Sequence, residues 1–180
     1  GMQVFPIRYT SANVEEVFFP HGEVIGDIGP SLTLLADQLE GKLKLDPAFL
    51  ALREEILGRV TEGSDDDRFP MIPQRLVADV RKAMPEDGIV CLDNGMYKIW
   101  FARNYRTHVA NTLLLDNALA TMGAGLPSAM MAAMLYPKRR VLAVCGDGGF
   151  MMNSQEMETA VRLKLNLVVI VLNDSAYVMI

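Results

Sequence analysis

Two apolar runs near the end of the sequence, VLAVCG (141–146) and LNLVVIVLN (165–173), constrain the fold more strongly than any other feature. Each has the length of a β-strand, and the second shows no polar alternation, which predicts a strand buried on both faces. A helix predicted over NSQEMETAVRLK (153–164) separates them, with Asn153 and Glu156 placed as in a capping box. Two strands joined by a helix are the repeating unit of a parallel sheet flanked by helices, so the predicted fold class is α/β.

The same alternation of helices and strands continues upstream. The patterns predict, in chain order, a helix at 72–85, a strand at 88–93, a helix at 96–105 and a helix entered through a glycine turn at 121–137. The stretch THVANTLLL (107–115) fits no element clearly. In parallel sheets ligands bind beyond the carboxyl ends of the strands. Three turns fall at such ends: DNGMY (93–97), CGDGG (145–149) and LNDSA (172–176).

The first 70 residues follow a separate pattern. They predict a strand at 5–10, a helix at 11–18, a strand at 21–28 and a helix at 30–40. A further helix at 46–60 opens with Asp46 as N-cap and Pro47 as its first residue. The acidic stretch TEGSDDDRFP (61–70) predicts a linker, so the predicted domain limits are 1–45, 46–70 and 71–180. Because the sequence ends at Ile180, directly after a predicted buried strand, we expect a piece of a longer protein.

Composition narrows the range of partners. The 180 residues carry a net charge of −5 without a basic stripe, which argues against nucleic acid and anionic membranes as partners. The sequence has no apolar run of about 18 residues and no signal-peptide pattern, so we expect a cytoplasmic protein. Cys91 and Cys145 lie inside apolar strand-like runs and are predicted to be buried thiols rather than zinc ligands.

The turn Gly146-Asp147-Gly148-Gly149 places a carboxylate where glycine-rich turns usually hold phosphate. One interpretation is a tight structural turn without a ligand. A second is a dinucleotide-binding G-x-G-x-x-G loop, but Met151 stands at the third glycine position. In that interpretation Asp174 would accept a hydrogen bond from a ribose.

The third interpretation adds a metal ion. A bare carboxylate about 4 Å from a phosphate would be repelled by roughly 4 kcal/mol at an effective dielectric of about 20, and a divalent cation between them removes this cost. Asp174 follows 27 residues after Asp147, which is the length of one helix and one strand. We therefore expect both aspartates at neighbouring strand ends, sharing Mg²⁺ with phosphate oxygens that the amides of Gly148 and Gly149 hold.

The stretch GDGGFMMNSQEMETAVRLKLNLVVIVLND resembles the GDG…N-N signature of thiamine-diphosphate enzymes, most closely the large subunits of acetolactate synthases. GAGLPSAM (123–130) and MMNSQEMETAV (151–161) also match this family. The resemblance implies that 71–180 is the N-terminal part of a thiamine-diphosphate-binding fold, incomplete here. It also implies that 1–45 is the end of a Rossmann-like central domain.

The resemblance implies metal-binding and cofactor-binding roles for individual residues. Asp147 and Asp174 would bind Mg²⁺ through their side chains and Ala176 through its carbonyl. Met122 would be the apolar residue that holds the cofactor bent, so that the cofactor's own amino group faces the thiazolium carbon that loses a proton. The other implied cofactor-binding residues are Gly95, Met96, Tyr97, Ala120, Gly123, Gly146, Gly148, Gly149 and Tyr177. Relatives often carry asparagine at the position of Asp174, histidine at Tyr97 and glycine at Val178.

The function implied by the resemblance is a thiamine-diphosphate- and Mg²⁺-dependent carboligase. It would decarboxylate one 2-oxo acid and join it to a second, with pyruvate to acetolactate as the leading reaction and branched-chain amino acid biosynthesis as its setting. The activating glutamate would come from a domain outside this sequence, and a homodimer or homotetramer is expected. FAD is a candidate second cofactor at the Gly26–Asp27 turn. The alternatives are another 2-oxo-acid decarboxylase or lyase, and a nucleotide-binding module without catalysis.

Overall fold

The computed structural model describes residues 3–11, 20–44 and 46–175. The chain divides into two units, Gly1–Leu52 and Arg53–Ile180. The predicted domain limits near residues 45 and 70 stay predictions. In the described ranges no helix combines the length and apolar character needed to cross a membrane.

The first unit contains a short parallel strand pair followed by a helix. Strand β1 (Ile7–Arg8) pairs with β2 (Val24–Ile25), and helix α1 (Ile28–Leu39) follows directly. The Asp27 carboxylate caps α1, because Oδ1 accepts the amide hydrogen of Gly29 at 3.0 Å. The helix predicted at 11–18 lies outside the described residues except for its first position.

Helix α2 (Pro47–Thr61) begins as predicted, since the Asp46 carboxylate accepts the amide hydrogen of Ala48 at 2.9 Å. The acidic stretch that follows is locally ordered. Asp66 pairs with Arg68, and this hydrogen bond lowers the pKa of Asp66 to about 2. The Arg75 guanidinium donates to the Asp66 carbonyl at 3.2 Å, which ties the stretch to the next helix.

The second unit is built on a four-stranded parallel sheet in the order β4-β3-β5-β6. Its elements are, in chain order, α3 (Pro73–Ala83), β3 (Ile89–Leu92), α4 (Met96–Asn104), β4 (Leu113–Leu115), α5 (Gly125–Leu135), β5 (Val141–Gly146), α6 (Asp147–Asn153), α7 (Glu156–Arg162) and β6 (Leu167–Leu172). The predicted α/β class, a parallel sheet flanked by helices, is confirmed. The unassigned stretch at 107–115 supplies β4.

Alternate residues of the two central strands face opposite layers of helices. One face packs against α5 and α7 through Ile89, Cys91, Val141, Ala143 and Cys145. The other packs against α3 and α4 through Val90, Leu92, Leu142 and Val144. Helix α5 presents glycine and alanine to the sheet, so its backbone lies close to β3. A Cβ atom added at Gly125 would lie 2.7 Å from the Cβ atom of Asp93.

The prediction that the last strand is buried on both faces is wrong for the described residues. Strand β6 lies at the edge of the four described strands, and Val168 is 60% exposed and Val171 41% exposed. An unbroken apolar run gives the strand itself but does not reveal whether both faces are covered.

The helix predicted over 153–164 is also corrected. The chain forms two short helices, and the first begins at Asp147 itself. Bonds between residues three apart, from Met157 to Ser154 and from Glu158 to Gln155, interrupt the α-helical pattern between them. The predicted capping box is absent, because α7 begins after Gln155 without a side-chain cap and the Asn153 amide binds elsewhere.

Both cysteine thiols should be inert toward Ellman's reagent in the folded protein. Cys91 and Cys145 are free and fully buried as predicted, and burial raises the pKa of each thiol to about 12. The thiolate is the reactive form, and about one thiol in ten thousand would be ionised at pH 8. Thiol titration at pH 8 should therefore detect neither cysteine before unfolding in urea and both afterwards. Fast labelling of the folded protein would contradict this burial.

Candidate cofactor site

A pocket of about 550 Å³ lies at the carboxyl ends of β3, β5 and β6. Strands β3 and β5 are neighbours in the sheet. The connection that leaves β3 leads to β4 on one side, and the connection that leaves β5 leads to β6 on the other, so the two connections diverge at this edge of the sheet. Such a switch point is the usual ligand position in an open parallel sheet. The pocket is lined by residues of three kinds: the strand-end turns (94–97, 146–149 and 171–174), the loop residue Met122, and the apolar residues Phe69, Pro70, Met71, Pro73, Leu76 and Trp100.

The two aspartates predicted at neighbouring strand ends both line this pocket. Gly146 of β5 pairs with Leu172 of β6, so Asp147 and Asp174 follow the ends of paired strands. The amide of Ser175, the residue after Asp174, donates to Oδ2 of Asp147 at 3.1 Å. The arrangement offers two carboxylates to one opening, which suits a hard divalent cation.

No group of three or more acidic, histidine or cysteine side chains is placed to hold a metal ion among the described residues. A cation between these two carboxylates would therefore need further oxygen atoms from a ligand, from water or from the backbone. Ala176, predicted to supply its carbonyl, lies outside the described residues, as do Tyr177 and Val178. Their predicted roles stay predictions.

Gly148 and Gly149 form the first turn of α6 beside Asp147 and line the pocket. A Cβ atom at Gly149 would lie 2.7 Å from Oδ2 of Asp93, so this position has no room for a side chain. The first amides of a helix have no partner within the helix. The turn can therefore bring backbone donors close to an anionic group.

The turn after β3 forms the opposite wall. Gly95, Met96 and Tyr97 line the pocket, and a Cβ atom at Gly95 would lie 2.5 Å from Cε1 of Tyr97. The Tyr97 hydroxyl oxygen accepts the amide hydrogen of Gly146 at 3.0 Å, which joins α4 to the end of β5. Burial raises the pKa of Tyr97, so this hydroxyl stays protonated.

Of the three residues predicted to bind the cofactor in the loop before α5, only one lines the pocket. Met122 lines the pocket, whereas Gly123 is buried and donates its amide hydrogen to Asp93 at 2.8 Å. Ala120 is exposed, is not among the pocket-lining residues, and has a φ of 50° in the left-handed region. The loop thus offers the pocket one apolar side chain at its tip.

Several residues at the site were not predicted from the sequence. Asp93 is fully buried and also accepts the amide hydrogen of Asn94 at 2.7 Å. An acidic residue directly after an apolar strand was the available signal for it. Phe69 and Pro70 belong to the stretch predicted as a linker (61–70), yet they line the pocket. Their apolar character within an acidic stretch was the only sign.

The lining residues fit a ligand with an anionic end and an apolar or aromatic body. The anionic end would meet a cation held by Asp147 and Asp174 and the amides after β5. The apolar body would meet Met96, Trp100, Met122 and Leu172 on the remaining walls. A pocket of this size that combines apolar walls with a few polar groups is typical of cofactor sites.

Comparison with known proteins agrees with a cofactor-binding site. Residues 93–180 match the family model described as "Thiamine pyrophosphate enzyme, C-terminal TPP binding domain". The chain is 36% identical over 172 residues to the catabolic acetolactate synthase of Raoultella terrigena, covering 92% of this chain and 30% of that protein. It is 33% identical to the acetolactate synthase of Bacillus subtilis, covering 94% of this chain and 30% of that protein.

A third relative is the large subunit of acetolactate synthase isozyme 1 of Escherichia coli, 29% identical over 97% of this chain and 31% of that protein. The chain therefore spans about 30% of the length of these curated relatives.

Proposed function

We propose that this chain, whose residues 93–180 match the thiamine pyrophosphate enzyme family and which is similar to acetolactate synthases over most of its length, forms part of a Mg²⁺-dependent carboligase. The full-length protein would decarboxylate one 2-oxo acid and join the remainder to a second. The observation that carries this proposal is the pair Asp147 and Asp174 at paired strand ends, opening on one pocket with the glycine turn after β5.

Different residues of the pocket would bind different parts of the cofactor. Asp147, Asp174 and the Ala176 carbonyl would bind Mg²⁺, and the amides of Gly148 and Gly149 would bind the diphosphate. A carboxylate beside a diphosphate is tolerable only with a cation between them, so Asp147 makes binding dependent on the metal. Met122 would contact the body of the cofactor on the apolar side.

When bound, thiamine diphosphate supplies a carbon that adds to the oxo acid and an electron sink for the decarboxylation. The residues of this chain hold and orient the cofactor. The apolar side chains of Met96, Trp100 and Leu172 reduce the access of water to the pocket. Lower water content strengthens the electrostatic interactions between the carboxylates, the cation and the diphosphate.

An assay of the complete gene product with pyruvate, thiamine diphosphate and Mg²⁺ tests the proposal. Acetolactate formation that disappears on chelation of the metal is the expected result. Release of free acetaldehyde instead would indicate a decarboxylase with the same cofactor. Binding of NAD without any metal requirement, and no turnover of 2-oxo acids, would favour a nucleotide-binding module.

Two further assignments belong to the same proposal. We propose a cytoplasmic homodimer or homotetramer whose active site lies between subunits, and sedimentation of the full-length protein tests the oligomer. FAD at the Gly26–Asp27 turn is a weaker candidate, because the Asp27 carboxylate already caps α1. The absorbance spectrum of the purified protein would reveal a bound flavin.

A further inference from the structure

Met122 lies between two residues whose backbone polar groups are all bound by side chains. The Thr121 amide donates to Oδ2 of Asp116 at 3.3 Å, and its carbonyl accepts from Nδ2 of Asn94 at 2.9 Å. The Gly123 amide donates to both oxygens of Asp93, at 2.8 and 3.1 Å. These contacts account for both groups of Thr121 and for the amide of Gly123.

The remaining group, the Gly123 carbonyl, accepts from Nδ2 of Asn153 at 2.7 Å. The four side chains come from separate places in the fold. Asp93 and Asn94 follow β3, Asp116 follows β4, and Asn153 is the last residue of α6. We call this set (Asp93, Asn94, Asp116 and Asn153) the loop clamp.

A lysine connects two members of the loop clamp. The Lys98 ammonium donates to Oδ1 of Asn94 at 2.6 Å and also to the carbonyl of Asp116. The Asp116 carboxylate in addition accepts the amide hydrogens of Ala118 and Leu119. Its hydrogen bond from Thr121 lowers the pKa of Asp116, so the carboxylate remains ionised at neutral pH.

The clamped loop has an unusual backbone. Ala120 has a φ of 50°, which a residue with a side chain adopts only at a cost. Gly123 has a φ of +83°, and a Cβ atom there would lie 2.7 Å from Nδ2 of Asn153. A loop with these conformations needs interactions that compensate its strain, and the loop clamp supplies them.

We propose that Asn94 and Asn153 are positioning residues that hold Met122 in the pocket before any cofactor arrives. Their amides contact the backbone on either side of Met122, and Asn153 is not among the pocket-lining residues. The inference rests on the proposed function for the identity of the cofactor. A preformed wall spares the cost of ordering the loop during binding, so the clamp increases cofactor affinity.

A double-mutant cycle with Met122→Ala tests this coupling in the full-length protein. Loss of one hydrogen bond in Asn153→Ala should weaken Mg²⁺-dependent binding of thiamine diphosphate about five-fold by calorimetry. In the Met122→Ala background the same change should cost less than about two-fold, since Asn153 acts through Met122. Equal losses in both backgrounds, or no loss in either, would overturn the proposal.

Asn104→Ala is the matched control. The Asn104 amide also donates to a backbone carbonyl, that of Val60 at 2.8 Å, and Asn104 is not a pocket-lining residue. Its removal should leave the affinity for thiamine diphosphate unchanged. A loss equal to that of Asn153→Ala would mean that general destabilisation, rather than the clamp, lowers affinity.

Hydrogen exchange of the cofactor-free protein separates failure of this inference from failure of the proposed function. The amides of Thr121 and Gly123 should be protected in the parent protein and exchange about ten-fold faster in Asn153→Ala. Unchanged exchange would overturn the clamp whatever the ligand is. If the parent protein does not bind thiamine diphosphate but exchange accelerates, the clamp stands and the proposed cofactor is wrong.

Discussion

Replacing Asp147 by alanine is expected to abolish Mg²⁺-dependent binding of thiamine diphosphate to the full-length protein. Asp147 lies at the end of β5 beside the glycine turn and lines the pocket with Asp174. Two unit charges about 4 Å apart interact by roughly 4 kcal/mol at an effective dielectric of about 20, which corresponds to about a thousand-fold in affinity. Titration calorimetry with and without Mg²⁺ measures the loss.

Two control variants are expected to retain cofactor binding. Asp174→Asn keeps an oxygen ligand at the second strand end and should retain metal-dependent binding. Asp87→Ala removes an acidic residue that precedes β3, at the opposite end of that strand, and should leave affinity unchanged. Unaltered affinity in the Asp147→Ala variant would falsify the assignment of the metal site.

Gly125→Ala is expected to give the largest loss of stability, about 1–3 kcal/mol in the free energy of unfolding. Gly125 is the first residue of α5, where a Cβ atom would lie 2.8 Å from the backbone nitrogen and 3.0 Å from the Cα of Asp93. These are backbone atoms, so the end of β3 must move away from the helix. Urea unfolding followed by the fluorescence of Trp100, the single tryptophan of the sequence, measures the change.

Gly58→Ala provides a control of opposite sign. Gly58 lies inside α2, and nothing is within 4 Å of the Cβ position there. Alanine is a better helix former than glycine by about 0.5–1 kcal/mol, so this variant should unfold at a higher urea concentration. A Gly125→Ala protein as stable as the parent would contradict the close packing of α5 on β3.

The strands of the second unit could be predicted because buried parallel strands are unbroken apolar runs bounded by turns. The runs at 141–146 and 165–173 contain β5 and β6. The coverage of β6 could not be predicted in this way, since it depends on what packs against Val168 and Val171. The start of α6 was missed because two glycines in its first turn are poor helix formers. Glycine is needed at one of these positions, since a Cβ atom at Gly149 would lie 2.7 Å from Oδ2 of Asp93.

The strand-end turns of the pocket were also predictable. Topology alone places Asp147, Asp174 and the turn at 93–97 at one edge of a parallel sheet, and the two aspartates and residues 94–97 of the turn line the pocket. The supporting contacts were not predictable. Asp93 and Asn153 each lie 30 residues from Gly123, and their hydrogen bonds arise only after β3, α5 and α6 have packed together.

Asp93 has a consequence for how homologous sequences can diverge. Its side chain or backbone lies within 3 Å of the positions where side chains at Gly125 and Gly149 would begin, and its carboxylate holds the amide of Gly123. The position of this one aspartate therefore constrains three glycines within a span of 27 residues, Gly123, Gly125 and Gly149. Among homologues, the residues at these four positions should therefore change together. A replacement at one position alone should be deleterious, whereas a replacement accompanied by compensating changes at the others should be tolerated.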